Sequence, residues 1–170
     1  MMAAALTLLR LDDAERELYL YDTFAGMPPP SEVDVDYAGR TMYPGANHVS
    51  ADEVRHALRS TGYDEDRVHL VAGRVEDTLP GQAPERIACL RLDTDWYESS
   101  RWELEHLYPR LATGGILIVD DYGHFQGARQ AIDEYFAGQP IFLSRIDYAA
   151  RLLVKPEPTR RGHRRADVRR

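Results

Sequence analysis

Two apolar runs of this chain each end in a pair of aspartates: LRLDTD at residues 90–95 and ILIVDD at residues 116–121. Short apolar runs are typical of strands buried on both faces of a parallel sheet, and open α/β sheets bind ligands beyond the carboxyl ends of their strands. The runs therefore predict neighbouring strands that direct Asp93, Asp95, Asp120 and Asp121 into one crevice. Carboxylates so close repel one another unless a positive charge lies between them, and Mg²⁺ or Ca²⁺ prefers oxygen ligands. We expect an oxygen-ligated metal there; the alternative is that these carboxylates cap the helices that follow.

The segments on either side alternate between strand and helix patterns. Strand patterns cover residues 17–21, 68–72, 87–92, 116–119, 141–146 and 151–155. Helical patterns cover residues 2–14, the segment after a Ser50/Glu53 capping box, residues 97–111 and residues 127–137. This alternation predicts an α/β fold, with a mostly parallel sheet, helices on both faces and a terminal antiparallel strand.

Composition bounds the class of protein. A length of 170 residues fits one domain with a substantial core, and 44% hydrophobic with 29% charged residues is ordinary for a globular protein. No run approaches the roughly 20 apolar residues of a membrane span, and the first residues lack the pattern of a signal peptide. We therefore expect a cytoplasmic protein. The single Cys89 stands in an apolar run and is expected to be a buried, inert thiol.

The net charge of −7 is unevenly distributed. Residues 156–170 carry six arginines against two acidic residues, whereas residues 1–155 carry a net charge of −11. An acidic body argues against nucleic acid as the main partner. We predict one domain over residues 1–155, followed by a basic, disordered tail over residues 156–170.

Several other residues have two interpretations each. Asp22 ends the first strand, where an acid can accept hydrogen bonds from ribose hydroxyls in a nucleotide-binding fold or act as an ordinary loop residue. His124 is either an active-site or a solvated histidine, and Trp96 and Tyr97 either line a pocket or pack. Residues 24–49 form a long loop with four large side chains, Met27, Tyr37, Met42 and Tyr43, and are either a substrate lid or a plain connector. The length of the loop without regular structure favours a functional loop.

Five ordered motifs resemble the macrocin O-methyltransferase family. They are LYDTFAGMP at residues 20–28, LDTDWYES at 92–99, LYPRL at 107–111, GG at 114–115 through DDYG at 120–123, and GARQA at 127–131. The resemblance covers roughly residues 1–155. It implies a Rossmann-like class I methyltransferase fold and an enzyme that uses S-adenosylmethionine and Mg²⁺ to methylate a hydroxyl of a sugar or other natural product.

The resemblance also implies roles for individual residues. Asp93, Asp120 and Asp121 match the Mg²⁺ ligands, and Asp95 matches the catalytic base. Asp22 matches the acid that holds the cofactor ribose, the turn after Gly73 matches an adenine contact, and Asp93 borders the cofactor as well as the metal. The expected partner is a small hydroxylated, sugar-bearing acceptor rather than nucleic acid or a membrane, and a homo-oligomer stays an open option.

One part of the family pattern has no counterpart in this sequence. The family's first strand and its glycine-rich turn would precede the strand that ends at Asp22, and that first strand lies between the strands ending at Asp22 and Asp93. We therefore expect a domain incomplete at its N-terminus, with two sheet edges that pair with each other or stay open. A truncated product, a wrongly assigned start and a divergent remnant would each give this pattern.

Two rival functions use the same carboxylates. One is a non-catalytic methyltransferase remnant that keeps the acidic metal site. The other is a metal-dependent hydrolase or phosphatase, which gives no reason for the Asp22 segment.

Overall fold

The computed structural model describes residues 1–41 and 47–157. Five α-helices lie in these ranges: α1 (Met2–Arg10), α2 (Ala51–Arg59), α3 (Val75–Thr78), α4 (Tyr97–Leu107) and α5 (Gln126–Tyr135). Six strands accompany them: β1 (Leu18–Asp22), β2 (Val68–Ala72), β3 (Ile87–Leu92), β4 (Leu111–Val119), β5 (Ser144–Arg145) and β6 (Arg151–Val154). Single 3₁₀ turns, Glu65–Arg67 and Tyr108–Arg110, lead directly into β2 and β4.

The strands form two sheets rather than one. β1 and β2 pair in parallel, and the other sheet has the order β3-β4-β6-β5, with β3 and β4 parallel and β6 antiparallel to both of its neighbours. The predicted α/β class, with parallel strands followed by an antiparallel hairpin, is confirmed. Among the described residues no strand pairs with the second edge of β1 or of β3, so the two edges stay open.

The main core lies between the larger sheet and helices α4 and α5. Its most deeply buried side chains come from all of these elements: Leu104, Leu117, Ile132 and Leu153. A smaller cluster holds α1 and α2 against the other sheet. Tyr21 of β1 joins the two parts, because its ring packs against the main core and its hydroxyl donates to the Gln82 carbonyl at 2.8 Å.

The predicted capping box starts α2. The Ser50 hydroxyl accepts a hydrogen bond from the Glu53 amide at 3.3 Å, and the Glu53 carboxylate accepts one from the Ser50 amide at 2.9 Å. Two amides that the helix itself leaves unpaired are thereby satisfied, which is the reason the motif marks a helix start.

Several predicted boundaries are wrong. The first helix ends at Arg10, and α4 ends at Leu107 since Pro109 cannot donate the next helical hydrogen bond. β4 already begins at Leu111 and runs through the predicted Gly114-Gly115 turn. Those glycines are held in the strand because the Gly114 amide donates to Lys155 at 2.9 Å and the Lys155 amide donates to Gly115 at 2.8 Å. The strand expected over residues 141–146 is reduced to β5.

Cys89 is exposed, so the prediction of a buried thiol is wrong. On β3, Leu90 and Leu92 face the core, whereas Cys89 and Arg91 are exposed on the alternate side. An apolar run predicts burial only where both faces of the strand are covered, and the described residues cover one face of β3.

The described helices include none that is long and apolar enough to cross a membrane. Most of the predicted tail, residues 158–170, lies outside the described residues, as do Met42 and Tyr43 of the predicted lid.

Candidate active site

The aspartates at the ends of β3 and β4 meet, as the sequence predicts. Leu92 pairs with Val119 in the parallel ladder, and the Asp120 amide donates to the Leu92 carbonyl at 3.0 Å. One carboxylate oxygen each from Asp93, Asp120 and Asp121 lies within 4.8 Å of the others. With Asp95, these residues form what we call the acidic cluster.

Arg91 supplies a positive charge that sequence reasoning missed. Its guanidinium donates to Asp93 Oδ2 and to Asp120 Oδ2, both at 2.6 Å. Residues two apart on a strand point to the same side, so the spacing from Arg91 to Asp93 was the available signal. One guanidinium offsets only one of the four carboxylates, and the cluster keeps an excess of negative charge.

Asp95 has an environment of its own in the cluster. Its backbone is left-handed, with φ of 65°, a conformation uncommon for residues other than glycine. Burial, a hydrogen bond with Asp121 and nearby carboxylates raise the pKa of Asp95 to about 9. Burial and a hydrogen bond with Asp120 raise the pKa of Asp93 to about 6. Burial and the neighbouring carboxylates thus favour the protonated form of Asp93 and Asp95.

The acidic cluster suits a hard divalent cation. All its donor atoms are carboxylate oxygens, which Mg²⁺ and Ca²⁺ prefer. The Asp93 and Asp120 side chains are 47% and 35% exposed, so an ion and a substrate oxygen can reach them from solvent. The group of three is compact enough for each residue to offer one ligand atom to a single ion.

Glu103 is a second charged group that the sequence prediction omitted. This α4 residue is only 5% exposed, and its carboxylate accepts a hydrogen bond from the Thr94 hydroxyl at 2.9 Å. Burial is the main reason that its pKa is raised to about 8. Thr94 lies between Asp93 and Asp95, so Glu103 supports the backbone that carries both. Its position four residues before Leu107 places it on the buried stripe of the helix.

Asp22 and Gly73 also come together, at the carboxyl ends of β1 and β2. The Gly73 amide donates to the Asp22 carbonyl at 3.0 Å, and Asp22 Oδ1 accepts from the Phe24 amide at 2.8 Å. Gly73 has φ of +135°, which other residues rarely adopt, and a Cβ there would lie 3.1 Å from Thr78 Cγ2. We call these two residues the Asp22–Gly73 pair. No strand hydrogen bonds join β1 and β3 in the described chain.

In the described part of the predicted lid, Asp34 is hydrogen-bonded to the start of α4 and lies close to α5. Asp34, 2% exposed, accepts from the Tyr97 amide at 2.7 Å and from the Ser31 amide at 2.8 Å. Gly127 permits this approach, because a Cβ at that position would lie 2.0 Å from Asp34 Oδ1. Sequence reasoning missed Asp34, because Tyr97 and Gly127, which hold it in place, lie far along the chain.

Of the aromatic residues singled out from the sequence, some make contacts inside the protein and one is exposed to solvent. Trp96 packs, with 4% exposure, against Phe125 and Met27, and its Nε1 donates to the Pro28 carbonyl at 3.0 Å. The Tyr97 hydroxyl donates to Glu134 at 2.6 Å. Tyr37 stays exposed and lies beside His124.

Sequence comparison connects this arrangement with known enzymes. The family model for the macrocin O-methyltransferases (TylF) matches residues 1–153. The chain belongs to this family. Over 127 residues it is 37% identical to the 8-demethyl-8-(2,3-dimethoxy-alpha-L-rhamnosyl)-tetracenomycin-C 4'-O-methyltransferase of Streptomyces olivaceus, covering 72% of this chain and 48% of that protein. It is also 37% identical over 136 residues to the demethyldecarbamoylnovobiocin O-methyltransferase of Streptomyces niveus, covering 76% and 51% respectively.

Solved structures show the same fold. The O-methyltransferase NovP superimposes with a TM-score of 0.77 at 29% identity, covering 91% of this chain and 66% of NovP. The calicheamicin methyltransferase CalS11 gives a TM-score of 0.72 at 25% identity, covering 88% and 65%. The predicted Rossmann-like class I methyltransferase fold is thereby confirmed. The chain spans about half the length of the curated relatives it matches.

Proposed function

We propose that this chain is a Mg²⁺-dependent O-methyltransferase domain that transfers a methyl group from S-adenosylmethionine to a hydroxyl of a sugar-bearing natural product. The acidic cluster carries the proposal, because it assembles metal-type ligands and a separate carboxylate at the carboxyl edge of a methyltransferase sheet. One relative is named as an O-methyltransferase of a rhamnosyl-tetracenomycin and another as one of demethyldecarbamoylnovobiocin, and these names support the acceptor class.

The chemistry divides between a metal and Asp95. A sugar hydroxyl is a weak acid and a poor nucleophile; Mg²⁺ held by Asp93, Asp120 and Asp121 would supply a lower hydroxyl pKa and a fixed orientation. S-adenosylmethionine would supply the methyl group, which would pass from its sulfonium sulfur to the hydroxyl oxygen and give S-adenosylhomocysteine as the second product. Asp95 in its ionised form takes the hydroxyl proton.

The Asp22–Gly73 pair is the proposed cofactor contact. Asp22 is exposed at the end of β1 and keeps acceptor capacity for the ribose hydroxyls, and the turn after Gly73 is the proposed adenine contact. With Asp93 at the end of β3, these residues border the cofactor side of the acidic cluster. In-line placement of the methyl group and the hydroxyl then contributes through proximity.

A transfer assay tests the proposal. The chain is incubated with trideuteromethyl S-adenosylmethionine, Mg²⁺ and a panel of rhamnosides, and products are read by mass spectrometry. We expect labelled product that disappears with excess EDTA and in Asp95→Asn. The product should persist in Glu98→Gln, which changes an exposed residue in the first turn of α4, three positions after Asp95. Product formation that is equally fast in EDTA would contradict the metal-dependent mechanism.

The open edges of β1 and β3 favour one rival, a non-catalytic protein that keeps only the acidic metal site. Titration with S-adenosylhomocysteine separates the two functions. Binding by the folded chain supports the methyltransferase, whereas no binding in a sample whose circular dichroism shows a folded protein supports the non-catalytic form.

A further inference from the structure

Two exposed tyrosines and the half-buried His124, from three separate loops, converge beside the acidic cluster. His124 lies in the centre, with ring centroids 5.6 Å from Tyr37 and 5.9 Å from Tyr148, both in edge-to-face geometry. Tyr37 follows β1, His124 follows β4 and Tyr148 precedes β6. Because β6 runs antiparallel to β4, the segment before β6 and the segment after β4 lie at the same edge of the sheet. We call these three residues the aromatic platform.

Backbone contacts fix the platform next to Asp121. The His124 and Phe125 amides donate to the Asp121 carbonyl at 2.9 and 3.0 Å, so the turn that carries His124 starts at the acidic cluster. The Gly123 amide donates to the Ala149 carbonyl at 2.9 Å, which holds the Tyr148 loop against that turn. A bridge between Asp36 and Phe125 places the neighbouring Tyr37.

Packing inside the protein does not account for these rings. Tyr37 is 66% and Tyr148 63% exposed, in contrast to the buried Trp96 close by. Grouped exposed aromatic rings leave apolar surface in water and are typical of sites that a ligand covers.

Polar side chains of α5 line the same cleft as two of the platform rings. Tyr37 and His124 line a cleft of about 490 Å³ together with Tyr122 and with five polar side chains of α5: Gln126, Arg129, Gln130, Asp133 and Glu134. The cleft thus offers aromatic rings as well as amide, carboxylate and guanidinium groups. A sugar ring matches both, since its C–H face is apolar while the hydroxyls at its rim donate and accept hydrogen bonds.

We propose that the aromatic platform is the acceptor subsite, on which a sugar ring of a glycoside stacks while its hydroxyls meet the polar face of α5. This inference rests on the proposed function, because the acidic cluster next to the platform is where the hydroxyl would be methylated. It identifies the acceptor as a glycoside that is recognised by ring stacking in addition to contacts at the reacting hydroxyl.

Binding of p-nitrophenyl α-L-rhamnopyranoside tests the platform. Saturation-transfer NMR and titration are performed without S-adenosylmethionine or metal. We expect the wild type to bind, Tyr37→Ala and Tyr148→Ala each to raise Kd about 3- to 10-fold, the scale of one aromatic contact, and Tyr148→Phe to keep the wild-type Kd. Phe142→Ala is the control; Phe142 is an aromatic residue that is 80% exposed and precedes β5.

The outcomes separate this inference from the proposed function. No binding by the wild type, an unchanged Kd in both alanine variants, or an equal loss in Phe142→Ala would overturn the platform. Thermal unfolding of each variant shows whether a loss of binding reflects a loss of fold. Normal binding with no methyl transfer would overturn the proposed function and leave the platform intact.

Discussion

The acidic cluster and the Asp22–Gly73 pair lie on parts of the fold that differ in the size of the sheet and of the supporting core. The acidic cluster ends two strands of a four-stranded sheet, and its support includes the main core with Leu104, Leu117 and Ile132 almost fully buried. The Asp22–Gly73 pair ends a two-stranded sheet that is backed by the smaller cluster. The comparison teaches that the acidic cluster and the Asp22–Gly73 pair are carried by different sheets, so substitutions at Asp22 or Gly73 can separate cofactor binding from metal binding.

The largest expected effect concerns Glu103, which lies beneath the acidic cluster. Its pKa of about 8 in the fold, raised by burial, exceeds that of an ordinary glutamate. The folded state therefore prefers the protonated carboxyl, whose contribution to stability is fully present below about pH 4.5 and is lost as pH rises through 8. As the pH rises, the wild type should therefore lose on the order of 4 kcal/mol in the free energy of unfolding. We expect Glu103→Gln to abolish this loss.

Urea unfolding at pH 5 and pH 8.5 measures this difference. The wild type should lose much more stability than Glu103→Gln at the higher pH, and Glu98→Gln should follow the wild type. Equal pH dependence in wild type and Glu103→Gln would show that Glu103 is not held as a buried acid.

The second prediction separates the roles of Asp95 and Asp22. Asp95→Asn should slow methyl transfer by about 10²-fold or more, the usual scale for a lost general base, with Mn²⁺ affinity unchanged. Asp22→Asn should weaken S-adenosylhomocysteine binding, also with Mn²⁺ affinity unchanged. A collapse of Mn²⁺ affinity in Asp95→Asn would make Asp95 a metal ligand instead of the base.

The third prediction compares two glycines, one from each region. In Gly127→Ala, the new Cβ would lie 2.0 Å from Asp34 Oδ1 and 2.9 Å from the Tyr97 amide nitrogen, so the buried Asp34 contact must break. We expect a loss of about 2–3 kcal/mol in thermal or denaturant unfolding. Gly73→Ala should cost less, since the contact there is 3.1 Å with the side chain of Thr78, and backbone strain is the main effect. A larger loss for Gly73→Ala would reverse the comparison.

The smallest expected effect concerns α2, which packs against the two-stranded sheet of β1 and β2. Ser50→Ala removes half of the α2 capping box and should cost about 1 kcal/mol in the free energy of unfolding. Because α2 does not support the acidic cluster, Mn²⁺ affinity should stay at the wild-type value. A lower Mn²⁺ affinity of Ser50→Ala, measured by calorimetry, would contradict the proposal that the acidic cluster is supported independently of α2.

Local patterns predicted much of the fold and the acidic cluster. β2 and β3 have the predicted bounds, since short apolar runs bounded by glycine or aspartate mark strand ends. The meeting of Asp93, Asp120 and Asp121 follows from parallel pairing alone. The Ser50/Glu53 motif likewise carries its own hydrogen bonds and needs no distant partner.

Features that depend on distant partners could not be predicted this way. Asp34 is buried because its bonds reach Tyr97 and because Gly127 leaves space, and neither contact is visible in the local pattern. Cys89 is exposed since burial depends on what covers the second face of β3. Strand periodicity places Arg91 on the same side as Asp93, and helix periodicity places Glu103 on the buried stripe of α4, so both positions were predictable from local patterns.

Mn²⁺ binding measured by isothermal titration calorimetry tests the central claim most directly, namely that Asp93, Asp120 and Asp121 hold one divalent ion. The wild type should bind a single ion, Asp120→Ala should show little binding, and Asp22→Asn should match the wild type. Equal Mn²⁺ binding by the wild type and Asp120→Ala would contradict the assignment of the acidic cluster as the metal site.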